Sequence, residues 1–370
     1  MAAPHLKALV LACALALTAS AAFAQLRIGQ TVGVTGAVAA TVKESMQGAQ
    51  LYLDHVNAKG GVLGEKIEIV TLDDAFDVKK AEANARTLIE ERGVLALFMS
   101  RGTPHTEAIN TVLEQHRVAL IGPSTGAMVL HQPVKPYIFN VRATYQREAE
   151  RAMAHLASIG VRKVAVVHVD DSFGADGLQG ARSGLKAAGL EPVAVAKFDR
   201  TKPDFAPLLP ALQPAEPQAV LIIGSGTAVV EGIRSLKAAR VGGQYLTLSN
   251  NASGGFIKLL GDQAQGVIVS QVMPASLNFG LVKEATQLAK AKGVDEVSPA
   301  MLEGFASAKV LVEGLRRAGA KPSRASLHQA LDNLGRLDLG GLVLDYSPSD
   351  HTGLDFADLS IVGTGGRFRR

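Results

Sequence analysis

From Gln25 onward the chain alternates short apolar runs with amphipathic stretches of helical period, and it does so twice. QLRIGQTVG, KIEIVTLDD, VLALFMS and RVALIG are near-continuous apolar runs of strand length, the pattern of parallel strands covered on both faces. Between them TVKESMQGAQLYLDHVNAKGG closes on Gly60-Gly61, DVKKAEANARTLIEER stops at Gly93, and a third helix reaches about His116. That third helix opens at Thr103, read as its N-cap with Pro104 at the first helical position. Four strands wound through helices make a doubly wound α/β lobe. A second set follows in VRKVAVVHVDDSFG, ADGLQGARSGLKAAGL, EPVAVAKFD, PQAVLIIGSG, TAVVEGIRSLKAAR and QYLTLSNNAS, without residue-level repetition. The remainder has helical patterns near 281–292 and 299–318 and strand-like GLVLDY and ADLSIVG. These are too few strands for a third sheet, so the segment is expected to pass back through both lobes.

The first residues stand apart. MAAPHLKALVLACALALTASAAFAQ has one positive charge at Lys7, an apolar run from Ala8 to Leu17, and Ala22-Phe23-Ala24 before Gln25. This reads as a secretory signal peptide over residues 1–24, cleaved after Ala24, with a periplasmic destination. Cleavage before Cys13 as a lipoprotein would leave too short an apolar stretch ahead of it. Cys13 is the chain's single cysteine, so residues 25–370 can hold no disulfide, catalytic thiol or cysteine-based metal site. They carry 37 basic and 34 acidic residues, spread rather than blocked. That excess is too mild to point to nucleic acid.

No catalytic motif is intact. GSGTAV has Val229 where a dinucleotide fingerprint needs its third glycine, and GGVLGEKI has Ile67 where a phosphate loop needs Ser or Thr. Asp73, Asp74 and Asp77 lack calcium-loop spacing and read as a solvated turn and helix cap. His168, on an apolar strand, reads as a packed core histidine. No enzyme activity, cofactor or metal is expected.

The two loops after VLALFMS and RVALIG carry more. They lie at the carboxyl ends of neighbouring parallel strands, where open α/β sheets bind ligands. Thr103, Ser124 and Thr125 offer hydroxyls, and Gly126 permits close backbone approach. Together they can form a socket for a carboxylate or similar polar head group. The plain alternative is that Thr103 only caps its helix and GPSTG is only a turn.

On VNAKGGVLGEKIEIVTLDDAFDVKKAEANARTLIEERGV, the GTP and GPSTGA loops, and KVAVVHVDDSFGADGL, the chain resembles periplasmic solute-binding proteins of the leucine/isoleucine/valine-binding type, the receptors of ABC importers. The resemblance spans 25–370. It implies two Rossmann-like lobes joined by a three-crossing hinge, with lobe 1 over 25–143 and 273–350 and lobe 2 over 144–272 and 351–370. It implies a small-molecule ligand in the cleft (an amino acid, an aromatic or aliphatic carboxylate, or an amide) and a partner permease in the inner membrane, with ligand sensing for a signalling receptor as the alternative role. The family's carboxylate-holding serine falls on Thr103, and its Pro-Ala-Ala-Thr loop on Pro123 to Gly126. Its first-lobe aromatic falls on Thr41, and its second-lobe tyrosine on the loop Gly226, Thr227 and Ala228. Its ammonium-pairing acid falls near Ser249 or Asn250, where no carboxylate stands, so a ligand without an α-ammonium is expected. Tyr145 and Phe173 are the aromatics expected to close over it, or else to pack between the lobes.

Overall fold

The computed structural model describes residues 25–369. The first sheet has strand order β2-β1-β3-β4-β5, all parallel: β1 (Gln25–Val32), β2 (Lys66–Asp73), β3 (Ala96–Phe98), β4 (Leu120–Ile121) and β5 (Ile138–Phe139). Helices α1 (Ala39–Ala58), α2 (Val78–Arg86) and α3 (Thr103–His116) link them. Asp77 starts α2 by accepting from the Lys80 N–H at 2.8 Å, as a short acidic residue at an N-cap does. Asn57 ties the end of α1 to β2 through both Ile67 backbone groups, each at 2.8 Å.

The second sheet repeats this winding. Its order is β14-β13-β10-β9-β8-β6-β7, with β6 (Val164–Val169), β7 (Ala194–Phe198), β8 (Ala219–Ile223), β9 (Gln244–Thr247) and β10 (Ile268–Gln271) parallel and β13 (Asp358–Val362) and β14 (Phe368–Arg369) at one edge. Around it lie α4 (Tyr145–Ser158), α5 (Ser172–Ala187), the single turn α6 (Leu209–Leu212), α7 (Thr227–Ala238) and α8 (Gly254–Leu260). All of β6 and β8 are buried, which is why both read as apolar runs, unbroken in β8 and interrupted in β6 only by His168.

After β10 the chain returns to the first lobe as α9 (Gly280–Ala291), α10 (Pro299–Arg317) and α11 (Arg324–Asp332), followed by the hairpin β11 (Gly335–Asp338)–β12 (Val343–Tyr346). GLVLDY therefore belongs to a two-stranded hairpin outside both large sheets. ADLSIVG becomes β13 (Asp358–Val362), antiparallel to β10, with β14 (Phe368–Arg369) beyond it. The chain thus crosses between sheets before α4, after β10 and before β13. The first and third crossings are bonded together: the Asn140 N–H donates to the His351 carbonyl at 3.0 Å and the Leu354 N–H to the Val141 carbonyl at 2.9 Å.

In each sheet the strand order reverses beside its first strand, between β1 and β3 in one lobe and between β6 and β8 in the other. Those are the switch points at which a crevice opens outside the carboxyl ends of the strands. The two crevices face one another, and the lobes are closed on each other. The Thr227 N–H donates to the Ala37 carbonyl at 3.2 Å, and the Thr41 and Ser253 hydroxyls meet at 2.8 Å. Glu44 on α1 accepts from the Gly254 and Gly255 N–H groups at 3.1 and 2.7 Å. Among the described residues no helix is long and apolar enough to cross a membrane.

Candidate ligand site between the lobes

The loop after β3 sets the first wall. Gly102, at φ 91°, is the N-cap of α3 and gives no side-chain bond, so Thr103 is the first helical residue rather than the cap. Freed of capping, the Thr103 hydroxyl turns to that of Thr125 at 2.8 Å, and both side chains are buried. The neighbouring loop is stitched to this one: the Ser124 N–H donates to the Ser100 carbonyl at 2.7 Å. Gly126 faces away from this pair. A Cβ there would lie 2.5 Å from the Ala143 carbonyl, and its own carbonyl accepts from the Tyr145 N–H at 2.8 Å. Close approach does explain this glycine, but to the first crossing between lobes.

Between Gly102 and the strand stands Arg101, which the sequence gives no reason to place indoors. It is 3 % exposed. One Nη donates to the Ser124 hydroxyl at 2.9 Å, and the other donates to the Asn250 carbonyl of the opposite lobe. Among the described residues it has no ion-pair partner. Burial pushes its pKa below the ordinary arginine value; Tyr145 and Glu303 oppose that, and Arg142 and Arg200 add to it. An arginine stays charged in a protein and has donors in a fork that matches a carboxylate. A buried guanidinium held only by a hydroxyl and a carbonyl therefore favours the arrival of an anion.

A second guanidinium, Arg142 on the first crossing, is treated differently. It pairs with Glu148 at the first turn of α4 and donates to the Ser249 hydroxyl at 2.7 Å. Burial works against its charge, but Glu148, with Tyr145 and Glu303, outweighs burial and holds its pKa above the ordinary value. Glu148 also accepts from the Ser249 N–H at 2.9 Å and from the Ser270 hydroxyl. An acid therefore does reach Ser249, from a segment about a hundred residues away, but both of its oxygens are already occupied.

Tyr145 and Phe173 pack ring against ring, tilted by 46° with centroids 4.6 Å apart, within the second lobe's core, and Arg142 lies 4.5 Å over the Tyr145 ring. Asn250 is buried; its amide donates to the Gly224 carbonyl at 2.8 Å and the Ser225 hydroxyl at 3.2 Å, leaving Oδ1 without a partner. Thr41 sits on the cleft as the partner of Ser253. The Thr227 side chain is exposed at the lip, and only its N–H bridges the lobes. So Thr103, Ser124, Thr125, Arg101 and Asn250 come together and Thr41 meets Ser253 across the cleft, whereas Tyr145 and Phe173 pack inside the second lobe's core, and Gly126 and the Thr227 side chain do not join the cluster. Two larger hollows, of about 570 and 690 Å³, lie away from this cleft, at the amino-terminal end of β1 and against α4 and α5.

Among the described residues no cluster of His, Cys, Asp or Glu is arranged to hold a metal. Asp77 caps α2 and Asp74 accepts from the Phe76 N–H at 2.8 Å. His168 Nδ1 lies 2.8 Å from the Val169 carbonyl in the sheet.

Known proteins share this fold. A substrate-binding periplasmic protein from Ralstonia solanacearum superposes with a TM-score of 0.84 at 30% identity, over 93% of this chain and 99% of that one. A possible leucine/isoleucine/valine-binding protein from Rhodopirellula baltica SH 1 gives 0.85 at 25% identity, over 95% and 98%. The Leu/Ile/Val-binding protein homolog 3 of Brucella melitensis is 26% identical over 336 residues, 89% of each chain. These relatives are named for binding and not for catalysis. Residues 25–356 match the family described as periplasmic binding protein, and with two facing switch-point crevices joined by three crossings, the chain belongs to that family.

Proposed function

We propose that the protein is an extracytoplasmic receptor that binds a small carboxylate-bearing solute, an amino acid or a simple acid, between its lobes and delivers it to the permease of an ABC importer. The observation that carries the ligand class is Arg101, a buried cation with no ion-pair partner among the described residues, whose donors reach both lobes. An anion bound there makes contacts that only the closed state offers, and such differential contacts shift an open–closed equilibrium. The membership of leucine/isoleucine/valine-binding proteins among its relatives supports the same solute class, and the signal-like residues 1–24, outside the described residues, support delivery to the periplasm. Isothermal titration calorimetry of protein that has been unfolded and refolded, to free it of carried-over solute, tests this. Saturable heat with small carboxylates is expected. Heat only with neutral sugars or with amines would overturn the reading.

A further inference from the structure

Glu303 has no role in the site so far. It is 5 % exposed, makes no hydrogen bond or ion pair among the described residues, and its Oε1 is cut off from solvent without a partner. Its position on α10 is fixed by its neighbours on the same stripe of the helix. One turn earlier, the Ala300 N–H donates to the Ala252 carbonyl at 3.0 Å, just past Asn250 in the second lobe. One turn later, the Ser307 hydroxyl lies 2.6 Å from where a Cβ on Gly122 would stand, at the head of the Ser124 loop. Glu303 therefore sits between the two stretches that Arg101 bridges, and its charge acts on Arg101, Arg142 and Tyr145 alike.

The helix cannot withdraw it. A Cβ on Gly304 would come 1.9 Å from the Ser45 carbonyl, and one on Gly48 would come 1.9 Å from the Met301 carbonyl. Helices α1 and α10 thus touch backbone to backbone on either side of Glu303. A carboxylate locked indoors can only accept hydrogen bonds, and leaving it without a donor is costly.

Resting on the anion reading above, we propose that Glu303 is the cation-recognising residue of the ligand site, so that the solute is a zwitterion whose carboxylate pairs with Arg101 and whose ammonium pairs with Glu303. This reverses the expectation, drawn from the absence of an acid at Ser249 and Asn250, that the ligand lacks an ammonium. The cation partner comes from the carboxyl-terminal part of the first lobe. Glu148, the acid nearest Ser249, has both oxygens engaged and cannot serve.

The test is calorimetry on the refolded protein with matched probes: L-leucine against 4-methylpentanoate, and L-phenylalanine against 3-phenylpropanoate. The wild type is expected to prefer the amino acid of a pair. Glu303→Gln, nearly isosteric, should lose at least tenfold in affinity for the amino acid and hold or gain affinity for the des-amino acid. Glu303→Asp, which keeps the charge but draws it back, should fall between them, and thermal melts of each variant report folding. If the wild type prefers the des-amino acids, the anion reading stands and the role of Glu303 is overturned. Equal shifts for both members of a pair in Glu303→Gln also overturn it, because a residue that merely balances the two guanidiniums acts on the carboxylate alone. If no member of either pair binds and heat appears only with neutral sugars or amines, the anion reading falls and this one with it.

Discussion

Replacing Arg101 with methionine separates its two effects. Binding of a carboxylate should weaken by about 1.5–3 kcal/mol, the worth of hydrogen bonds to a charged group, or roughly tenfold to a hundredfold. The melting temperature should hold or rise, because a buried cation without an acid partner is a cost to the fold. Nothing in FMSRGTPHT tells a reader that this arginine is indoors. Arginine is ordinarily a surface residue, and the partner that draws it in, the Asn250 carbonyl, lies 149 residues away. Thr103, Ser124 and Thr125 were legible because a rule about strand ends locates them, whereas Arg142 and Glu148 meet only through the crossing between lobes. His131 gives a pH test. Burial, with the Arg142 charge adding and Asp350 opposing, lowers its pKa from 6.5 to about 4. The unfolded chain therefore binds the extra proton first, and the stability from keeping His131 neutral is present above pH 6.5 and lost as pH falls toward 4. At about 1.4 kcal/mol per unit the loss is on the order of 3 kcal/mol. Urea unfolding of His131→Gln should show a shallower fall across that window than the wild type; the comparison removes Asp74 and Asp176, which are raised to about 6 by burial and act in the opposite sense.

Helices α1 and α10 pack so closely that a single methyl group should part them. Gly304→Ala would place its Cβ against the Ser45 carbonyl at 1.9 Å, and overpacking of this kind costs about 1–3 kcal/mol. A chemical denaturation midpoint that does not move would contradict the backbone contact. The same pair explains what could be read of the carboxyl-terminal third. The periodicity of 299–318 shows a buried helix but not its partner, since α10 packs on a helix more than 250 residues earlier in the chain. GLVLDY looked like a sheet strand because its alternation is that of any half-buried strand; in the fold it pairs only with β11.

Two doubly wound lobes were legible from their repeated strand–helix pattern, but which surfaces meet when they close was not. Closure is made by bonds between segments with no pattern in common, among them the Ser172 hydroxyl with Glu107 at 2.5 Å and Glu44 with the backbone at the start of α8. Because Glu44 contacts the second lobe only when the lobes are together, Glu44→Ala should shift the balance toward opening. The affinity for a carboxylate should then drop about threefold to tenfold with the anion contacts themselves intact, since a smaller closed fraction lowers apparent affinity in proportion. Small-angle scattering on the solute-free variant should show a larger radius of gyration than the wild type.

The most direct measurement is the thermal shift of refolded wild type and Arg101→Met across small carboxylates, neutral sugars and amines. A bound solute at a hundred times its dissociation constant adds about 2.7 kcal/mol of stability. The wild type should be stabilised by one or more compounds bearing a carboxylate, and the tenfold to hundredfold weaker binding of Arg101→Met should leave about half of that stabilisation or less at the same concentration. Stabilisation by a sugar or an amine alone, or a carboxylate shift undiminished in Arg101→Met, would contradict a cleft built to receive an anion.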